Sequence, residues 1–583
     1  MPGLQTKTLL FATFFCTGIS ACYASDQSNP QAAVAPCLAA TTPIASVQGD
    51  GRISPLLGRQ VAVQGIVTLL QNGHGLYIEE PGSDQDPGTS NAIFVQTTDW
   101  PDSVGQGSLI SILGSVSEID NGRHSLTALT DLTLLTQCSD GQPLPVTNVT
   151  LPLDEDGREA LEGMRIHIDG ALTVTDVYRF NQGNFTLAAN GFQYTPTELM
   201  PPGPEAARQS GQNREHSLPV MLPKDLQLDG VLAAGNSIRA ATGVLAHDRR
   251  GLRLALQAFS ASSSSGFDLP HAAQAGSLRV VGMNLYNYFN GDGRGSGFPA
   301  PRGAETVEEF HQQRERIAAA IRVLKPQILG VMELENDGFG PHSAAVDFIQ
   351  LANEANGLNP GAGWQVVHPD NANTGTQKIR VALFYRGDTV AAAGPAQTLT
   401  GPEFRRSRQP IAQVFQQRSD GRKILVVVNH LKSKGSCPDS GENANQGDGQ
   451  GCWNPARTAA AVKMTAWVKA LAVKAGTDNI LILGDMNAYR REDPVNVIRN
   501  AGFDELMDDA AGRVYSFIYF GQAGTLDYAF VSAALQPKVR QAFIWNVNAA
   551  LPPNMELPQP WLRFSDHDPV VVDIRLHQAT TSD

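Results

Sequence analysis

Two short stretches of this chain place acidic, amide and imidazole side chains directly beside aliphatic runs of the buried-strand type. They are Ile482-Leu483-Gly484-Asp485-Met486-Asn487 and Phe564-Ser565-Asp566-His567-Asp568-Pro569-Val570. The adjoining runs, residues 481–483 and 570–574, predict central strands. Polar groups at the end of a buried strand are costly to desolvate, so their presence there favours a chemical role. Carboxylates for a hard divalent cation, an imidazole for proton transfer and an amide for a phosphate oxygen together suit metal-assisted phosphoester hydrolysis.

The length and composition predict several globular domains. The 583 residues suggest two to four domains, and 42% apolar with 17% charged residues leaves ample material for hydrophobic cores. The formal net charge of −13 argues against non-specific binding of nucleic acid through charge alone. It does not exclude an enzyme that meets phosphates through a metal ion and a local basic cleft.

The N-terminus predicts export. Lys7 precedes a short apolar run and then small residues, so residues 1–24 are interpreted as a signal peptide. Two cleavage sites compete: ordinary cleavage after Ala24, and a lipoprotein box, Ile19-Ser20-Ala21-Cys22, that would place a lipid anchor on Cys22. No other segment is long and apolar enough to cross a membrane.

The cysteines support export to an oxidising compartment. Two of the six lie in the leader, and the other four are Cys37, Cys138, Cys437 and Cys452. Pairing Cys37 with Cys138 and Cys437 with Cys452 closes two compact units, so we expect it among the three connectivities that four cysteines allow. Free or metal-bound thiols are the alternative, although no Cys-x-x-Cys spacing supports zinc.

The front half contains a repeated glycine-centred strand motif. Residues 58–68 have the pattern Gly-x-x-Val-x-Val-x-Gly-x-Val-Thr and residues 163–173 the pattern Gly-x-x-Ile-x-Ile-x-Gly-x-Leu-Thr, with a shorter copy from Gly107 and a slipped copy from Gly235. The alternation predicts half-buried strands, and the glycines inside them predict bulges or barrel corners. Two motifs in each of two units predict two small β-barrels of the oligonucleotide/oligosaccharide-binding (OB) type, over 45–140 and 145–258.

The pattern changes after residue 258. A stretch rich in Ser, Ala and Gly makes 259–276 a predicted linker. Beyond it aliphatic runs alternate with helical patterns over 307–324 and 457–473, which indicates a layered α/β or α+β domain. The predicted strands of this domain are 279–282, 328–331, 381–385, 424–428, 480–483, 528–531 and 570–574.

Polar clusters follow these strands in a fixed order. They are Met283-Asn284, Met332-Glu333-Leu334-Glu335-Asn336, Val428-Asn429-His430-Leu431-Lys432, Gly484-Asp485-Met486-Asn487, Leu526-Asp527-Tyr528 and Ser565-Asp566-His567. The ordered set resembles the endonuclease/exonuclease/phosphatase superfamily, the fold of pancreatic-type deoxyribonuclease, and within it the bacterial extracellular nucleases. The resemblance implies a four-layer α/β/β/α sandwich over 277–577, preceded by the two β-barrels.

The resemblance also implies a metal site. Asn284, Glu333 and Asp566 match its metal-binding positions, and the expected ion is Mg²⁺ or Mn²⁺. Oxygen ligands of this kind are those that Mg²⁺ prefers.

Five further residues match the catalytic positions of the superfamily. Asp485 and Asn487 match the pair that orients the nucleophile and contacts the scissile phosphate. His567 matches a general base or phosphate ligand that is oriented by Asp527. His430 matches a second histidine that acts as general acid or phosphate ligand.

A basic loop is the expected place for substrate. Lys432, Asn454 and Arg457 are the predicted substrate-binding residues, and a solvated basic face is the alternative for the arginines nearby. One departure is Gln377, where relatives tend to carry an acid that orients a catalytic histidine. The glycine-rich loop 439–451, with Asp439, Glu442 and Asp448, is expected to be a disulfide-tied lid or a structural Ca²⁺ site.

The sequence thus predicts an exported bacterial protein, either secreted or held as a periplasmic or outer-membrane lipoprotein. Its predicted activity is divalent-metal-dependent hydrolysis of phosphodiester bonds in extracellular DNA, or RNA as well. A phosphatase or lipid phosphodiesterase with the same machinery is the alternative within the superfamily. A non-catalytic nucleic-acid-binding or adhesion protein built on the OB-type barrels is the alternative of another class. The oligomeric state is left open.

Overall fold

A computed structural model describes most of the chain. The described residues are 37–120, 125–223, 231–261, 267–358, 363–369, 375–507 and 514–577. The predicted signal peptide, Cys22 and part of the predicted linker lie outside them. No helix among the described residues combines the length and the apolar character needed to span a bilayer.

The first unit is a closed five-stranded barrel. Its elements are α1 (Ile44–Gln48), β1 (Gln60–Gln71), β2 (Gly75–Glu79), β3 (Ala92–Gln96), β4 (Leu109–Glu118) and β5 (Thr127–Ser139). The strands pair in the order β1-β2-β3-β5-β4, and β4 returns to β1. Alternate residues of β1, among them Val61 and Val63, fill the interior, as the period-two pattern predicts. The predicted Cys37–Cys138 disulfide is confirmed.

The second unit repeats this strand order. Its elements are β6 (Thr147–Asn148), α2 (Glu155–Glu159), β7 (Arg165–Asp176), a 3₁₀ turn (Phe180–Gln182), β8 (Asn184–Ala188), α3 (Pro196–Leu199), α4 (Pro204–Glu215), β9 (Ser217–Met221), β10 (Ser237–Asp248) and β11 (Gly251–Ala261). Pairings run β7-β8-β9-β11-β10 and back to β7. As with β3 and β5 in the first unit, β9 and β11 are parallel. The sequence repeat is thus a repeat of topology. The OB assignment and the domain boundaries stay predictions.

The in-strand glycines mark irregularities, as expected. The β4–β5 register shifts between Leu113 and Ser115, on either side of Gly114, and the β10–β11 register shifts between Thr242 and Gly243. An extra residue at such a point bends the strand and helps a short sheet to curl.

The C-terminal half is a sandwich of two sheets. Its strands are β12 (Leu278–Tyr288), β13 (Ile328–Glu335), β14 (Trp364–Val366), β15 (Ile379–Arg386), β16 (Val390–Ala392), β17 (Gln397–Thr398), β18 (Ile411–Gln417), β19 (Lys423–His430), β20 (Ile480–Asp485), β21 (Phe503–Glu505), β22 (Phe517–Tyr519), β23 (Gln522–Gly524), β24 (Asp527–Ser532), β25 (Val539–Ile544) and β26 (Val570–Ile574). Its helices are α5 (Val307–Leu324), α6 (Ala344–Asn356), α7 (Asn454–Ala475) and α8 (Asp493–Asn500), with 3₁₀ turns at Pro402–Phe404 and Gln536–Lys538.

These elements stack in four layers. The order β14-β15-β13-β12-β26-β25 forms one sheet, and β16-β18-β19-β20-β24-β21 forms the other, with β17 beside β18. Helices α5 and α6 cover the outer face of the first sheet, and α7 and α8 cover that of the second. A third aliphatic core fills the space between the sheets. The predicted α/β sandwich is confirmed.

The two predicted helices are present. Helix α5 has the predicted bounds, because Thr306 caps its first turn and Lys325 leaves it in a left-handed conformation. Helix α7 begins three residues before the predicted start, since Pro455 fits the first helical turn, where no N–H bond is needed.

Candidate active site

The register of one sheet brings three polar residues side by side. His430 ends β19, Asp485 ends β20 and Asp527 begins β24. His430 lies opposite Asp485 in the parallel pair, and Asp485 lies opposite Asp527 in the antiparallel pair. All three side chains are buried. The sheet therefore presents an imidazole and two carboxylates in a row at one end.

Close approach of two strands fixes how Asp485 projects. Gly484 has φ +140°, and a Cβ on it would lie 2.0 Å from the carbonyl oxygen of Asn429. The Nδ2 group of Asn429 donates to the carbonyl oxygen of Leu483 at 3.0 Å. The position before the acid therefore has to be glycine.

His567 is held as a cation by an acid. Its Nδ1 lies 2.7 Å from Oδ2 of Asp527, which also accepts a hydrogen bond from Oγ of Ser516 at 2.7 Å. The Phe517 ring packs on the imidazole with centroids 4.6 Å apart. Burial alone would lower the pKa of His567, but the charges of Asp527 and Asp566 raise it well above its usual range. Because Nδ1 faces Asp527, Nε2 is the ring nitrogen left for substrate.

His430 has the opposite electrostatic character. Its Nε2 lies 3.3 Å from Oδ2 of Asp485 and 4.0 Å from Oε1 of Glu333. Burial, followed by the nearby charge of Arg408, lowers the pKa of His430 well below its usual range. Burial also raises the pKa of Asp485 to about 7. The pKa values of the two histidines are therefore shifted in opposite directions in the same site, the kind of separation on which acid–base division depends.

The facing sheet contributes the predicted metal-binding residues. Oε2 of Glu333 accepts from the N–H of Asn287 at 3.0 Å, and Oδ1 of Asn284 accepts from the N–H of Tyr286 at 2.9 Å. Glu333 has φ 64°, a left-handed backbone that is costly outside glycine and typical of functional sites. Burial first, and then the charge of Asp566, raises the pKa of Glu333.

Asn487 organises the neighbouring carboxylate. Its backbone N–H donates to Oδ1 of Asp485 at 2.7 Å, and its Nδ2 donates to Oδ2 of Asp485 at 3.1 Å and to the carbonyl oxygen of Leu431 at 3.2 Å. The structure therefore gives Asn487 a positioning role, and its contact with the scissile phosphate stays a prediction.

The donor set fits a hard divalent cation. The acidic and imidazole ligand atoms that come closest, all within 4.8 Å, belong to Asp485, Asp527 and His567. The hydrogen bond between His567 and Asp527 accounts for that closeness without a metal. Glu333 and Asp566 fit a cation better, because two like charges repel in a buried site and a cation between them would relieve the repulsion.

The predicted substrate-binding residue Arg457 has a structural environment instead. It is fully buried, and its guanidinium donates to the carbonyl oxygens of Cys452, Gln450 and Lys432 at 2.9, 3.0 and 3.2 Å. It thereby anchors the loop that the predicted Cys437–Cys452 disulfide closes, and that disulfide is confirmed. Nothing in this geometry supports a contact between Arg457 and substrate.

Lys432 and Asn454 are also engaged with the protein. Nζ of Lys432 donates to the carbonyl oxygens of Ser433 and Gly435, both at 2.9 Å or less. Nδ2 of Asn454 donates to Oδ2 of Asp493 at 2.7 Å. Burial lowers the pKa of Lys432 to about 8, which weakens it further as a fixed cation. Their substrate contacts stay predictions.

The departure at Gln377 has a structural consequence. Its Nε2 donates to the carbonyl oxygen of Arg405 at 3.1 Å, away from the histidine. Nδ1 of His430 is buried, and no hydrogen-bond partner for it is found in the described part of the chain.

Several residues near the site were missed by the sequence analysis. Ser516 reaches Asp527 and Phe517 reaches His567 only through tertiary packing, and no local pattern marks them. Arg408 is one of the arginines near the predicted basic loop, and its charge acts on both Glu333 and Asp485.

The Ca²⁺ prediction gains no support. Asp439 and Glu442 are exposed, and Asp448 accepts hydrogen bonds from the backbone and the side chain of Gln450. Among the residues that the structure describes, these acids do not form a cluster of possible metal ligands.

Comparison with known proteins gives one family match. Residues 289–567 match the model of the Endonuclease/Exonuclease/phosphatase family, which agrees with the resemblance seen in the sequence for this part of the chain. The bacterial extracellular nuclease subgroup stays a prediction. No curated protein matches the chain.

Three solved structures illustrate the proteins to which this chain is similar. The human Nocturnin catalytic domain with bound sulfate anion is 17% identical over 52% of this chain and 95% of that chain, with a TM-score of 0.34. The mannosyl-6-phosphatase of Bacteroides thetaiotaomicron VPI-5482 is 17% identical over 51% and 98%, with a TM-score of 0.34. TDP2 of D. rerio, complexed with single strand DNA product, is 13% identical over 51% and 98%, with a TM-score of 0.31.

Proposed function

We propose that this chain, whose residues 289–567 match the Endonuclease/Exonuclease/phosphatase family, is an exported, divalent-metal-dependent nuclease that hydrolyses phosphodiester bonds of DNA. The observation that carries the proposal is the pair of buried histidines that each lie beside a carboxylate, His567 on Asp527 and His430 beside Asp485, at one end of two packed sheets. Binding, activation of water and protonation of a leaving oxygen each have a candidate group there.

The directions of the two pKa shifts suggest how the work is divided. Protonated His567 can bind a non-bridging phosphate oxygen through its Nε2–H and can donate that proton to the leaving oxygen as its bond to phosphorus breaks. Water that attacks phosphorus has to lose a proton, and the carboxylate of Asp485 can accept it. The proton-donor role of His567 differs from the general-base role that the resemblance implies, and the phosphate-ligand role agrees with it.

Glu333 and Asp566, with Asn284, are the residues that would hold Mg²⁺ or Mn²⁺. Such an ion would neutralise charge on the phosphate and polarise the bond that breaks. Glu333 supplies its oxygen donors from a strained backbone position at φ 64°.

Cleavage of supercoiled plasmid by the purified mature chain tests the proposal. We expect nicking in Mg²⁺, none in EDTA, and recovery when Mg²⁺ is restored. Glu333→Ala should lower the rate by roughly a hundredfold or more, since it removes a metal ligand. Glu335→Ala, two residues along the same strand, is the matched control and should stay close to wild type.

An intact plasmid under all metals would contradict a nuclease. Release of phosphate from sugar phosphates would then favour a phosphatase, and cleavage of a phospholipid headgroup would favour a lipid phosphodiesterase. Binding of nucleic acid without cleavage of any phosphoester would favour a non-catalytic binding protein.

Export and the OB assignment belong to the same proposal. Two disulfides suit an oxidising compartment outside the cytosol. The two five-stranded rings, each with one parallel pairing, suit the OB type.

A further inference from the structure

Exposed aromatic side chains gather around the candidate active site. Tyr178, Tyr286, Tyr519 and Phe520 are 57%, 42%, 59% and 78% exposed. No other Phe, Tyr or Trp in the described ranges is exposed to a comparable degree. Large aromatic surfaces left in water at one place usually mark a binding surface.

One pair extends outward from the catalytic histidine. Phe517 packs on His567, and the ring of Tyr519 is stacked near that of Phe517, with centroids 6.3 Å apart and planes 19° apart. Phe520 follows edge-on to Tyr519 at 4.5 Å. The aromatic surface is therefore continuous with the residues that would act on the phosphate.

The other pair lies at the end of β12 and just after β7. The backbone of Tyr286 donates to Asn284, so its side chain emerges beside the predicted metal ligands. The hydroxyl of Tyr286 lies within hydrogen-bonding range of Tyr178, which belongs to the second β unit. The N-terminal half of the chain thus contributes directly to the rim of the site.

The hairpin that carries Tyr519 and Phe520 is fixed against the second unit. A Cβ at Gly521 would lie 2.9 Å from Oγ1 of Thr175 in β7. Ala523 donates to the carbonyl oxygen of Gln193 and accepts from the N–H of Thr195, both at 2.8 Å. A tip held in this way cannot protrude freely, which suits a rigid platform in a groove rather than insertion into a lipid surface.

The hairpin turn carries an aromatic side chain at a strained backbone position, which lowers its stability. Tyr519 pairs with Gln522, so Phe520 and Gly521 form a two-residue hairpin turn with φ 47° and 74°. Such turns favour Asn-Gly, and a bulky residue at positive φ is strained. Phe520 is also mostly exposed, so burial does not offset that cost. The residue therefore serves something other than folding.

We infer that these four aromatic side chains form a platform on which bases of a single-stranded nucleic acid stack beside the scissile phosphate. The inference rests on the proposed nuclease function and assigns its preferred substrate as single-stranded. Stacking on aromatic faces is tolerant of sequence, so four exposed rings suit a strand of any base sequence.

Phe520→Asn is the sharpest test, because it removes the ring and improves the turn. The melting temperature should not fall. With a single-stranded 15-mer, KM should rise roughly tenfold while kcat stays near wild type, as loss of one stacked base predicts. When the same strand carries abasic residues around one cleavable linkage, wild type and variant should have the same KM. Val473→Ala, an exposed residue at the end of α7, is the control.

Each outcome decides a separate question. An unchanged KM for the base-bearing strand overturns the platform while leaving the nuclease standing. If wild type cleaves no nucleic acid, the proposed function fails. The platform is then tested alone by the affinity of Glu333→Ala protein for the labelled 15-mer, measured with and without Phe520→Asn. Equal affinity of the two proteins overturns the platform. Loss of binding to phosphatidylcholine vesicles without loss of 15-mer binding also overturns it, in favour of a lipid surface.

Discussion

At the scale of single residues, the charge of His567 depends most on one carboxylate, that of Asp527. Asp527→Asn keeps the size of the side chain but removes the charge that holds the pKa of His567 above its usual range. We expect that pKa to fall and the rate at neutral pH to drop by roughly two to four orders of magnitude, since the cationic form is lost. NMR titration of the His567 ring in the metal-free protein, with a kcat–pH profile, measures both.

The raised pKa of His567 also determines how the stability of the protein changes with pH. A histidine with a raised folded pKa adds stability that is fully present below its unfolded pKa of about 6.5 and is lost as pH rises through the folded value. Asp527→Asn should therefore cost more stability at pH 5 than at pH 9. Ser516→Ala, which removes a hydrogen bond to the same carboxylate but no charge, is the control and should leave the pKa of His567 raised. An unshifted pKa in Asp527→Asn would show that another group holds the proton.

The sequence predicted the position of a site residue only where that residue follows a predicted strand. Asp485 and His430 follow aliphatic runs directly, so their place at a sheet end could be predicted from the pattern. Arg457 was predicted to bind substrate, and the sequence could not indicate its three backbone carbonyl partners. A basic residue near a predicted site looks the same in the sequence in either environment. Phe520 could not be predicted either, since its exposure and positive φ exist only once the hairpin is folded.

At the scale of elements, a buried ion pair joins the strands at the centre of the first sheet. Arg279 in β12 donates from Nε to Oδ1 of Asp573 in β26 at 2.7 Å and from Nη2 to Oδ2 at 2.8 Å. The guanidinium also donates to the carbonyl oxygens of Leu324 and His271, which ties helix α5 and the segment before β12 to the same point.

Asp573→Ala should destabilise the protein by about 3–5 kcal/mol, because the guanidinium would be left buried without its charge partner. Urea denaturation followed by tryptophan fluorescence gives the free energy of unfolding. Asp420→Ala removes a carboxylate from the exposed pair with Arg422 and should change it by no more than about 0.5 kcal/mol. Equal effects of the two changes would contradict the account of the buried pair.

Whether a segment forms a helix or a strand was easier to predict than which strands pair with one another. Periodicity placed α5 and the core strands, because a helix face and a buried strand each leave a local pattern. The pairing of β12 with β26, which are almost the whole domain apart in sequence, leaves no such pattern. The four-layer arrangement therefore came from the resemblance and not from the periodicity.

At the scale of the whole molecule, one carboxylate couples the second β unit to the sandwich. Glu198 in α3 is buried and accepts hydrogen bonds from the N–H and Oγ1 of Thr525, both at 3.0 Å. It also lies 3.4 Å from Nε of Arg490. Thr525 is two residues before Asp527, so this contact, one of several that join the two units, lies next to the catalytic strand.

Glu198→Ala should loosen this contact and cost about 1–3 kcal/mol, because buried donors on Thr525 and Arg490 lose an acceptor. We expect calorimetry to resolve two thermal transitions in the variant where wild type shows one, and limited proteolysis to release a C-terminal fragment. Glu205→Ala, on the exposed surface of α4, is the matched control and should melt as wild type does. Activity on a short abasic strand should survive better than activity on a base-bearing strand, since Tyr178 would no longer be held at the rim of the site. A variant that melts in one transition and keeps its full preference for bases would show that the units are joined elsewhere.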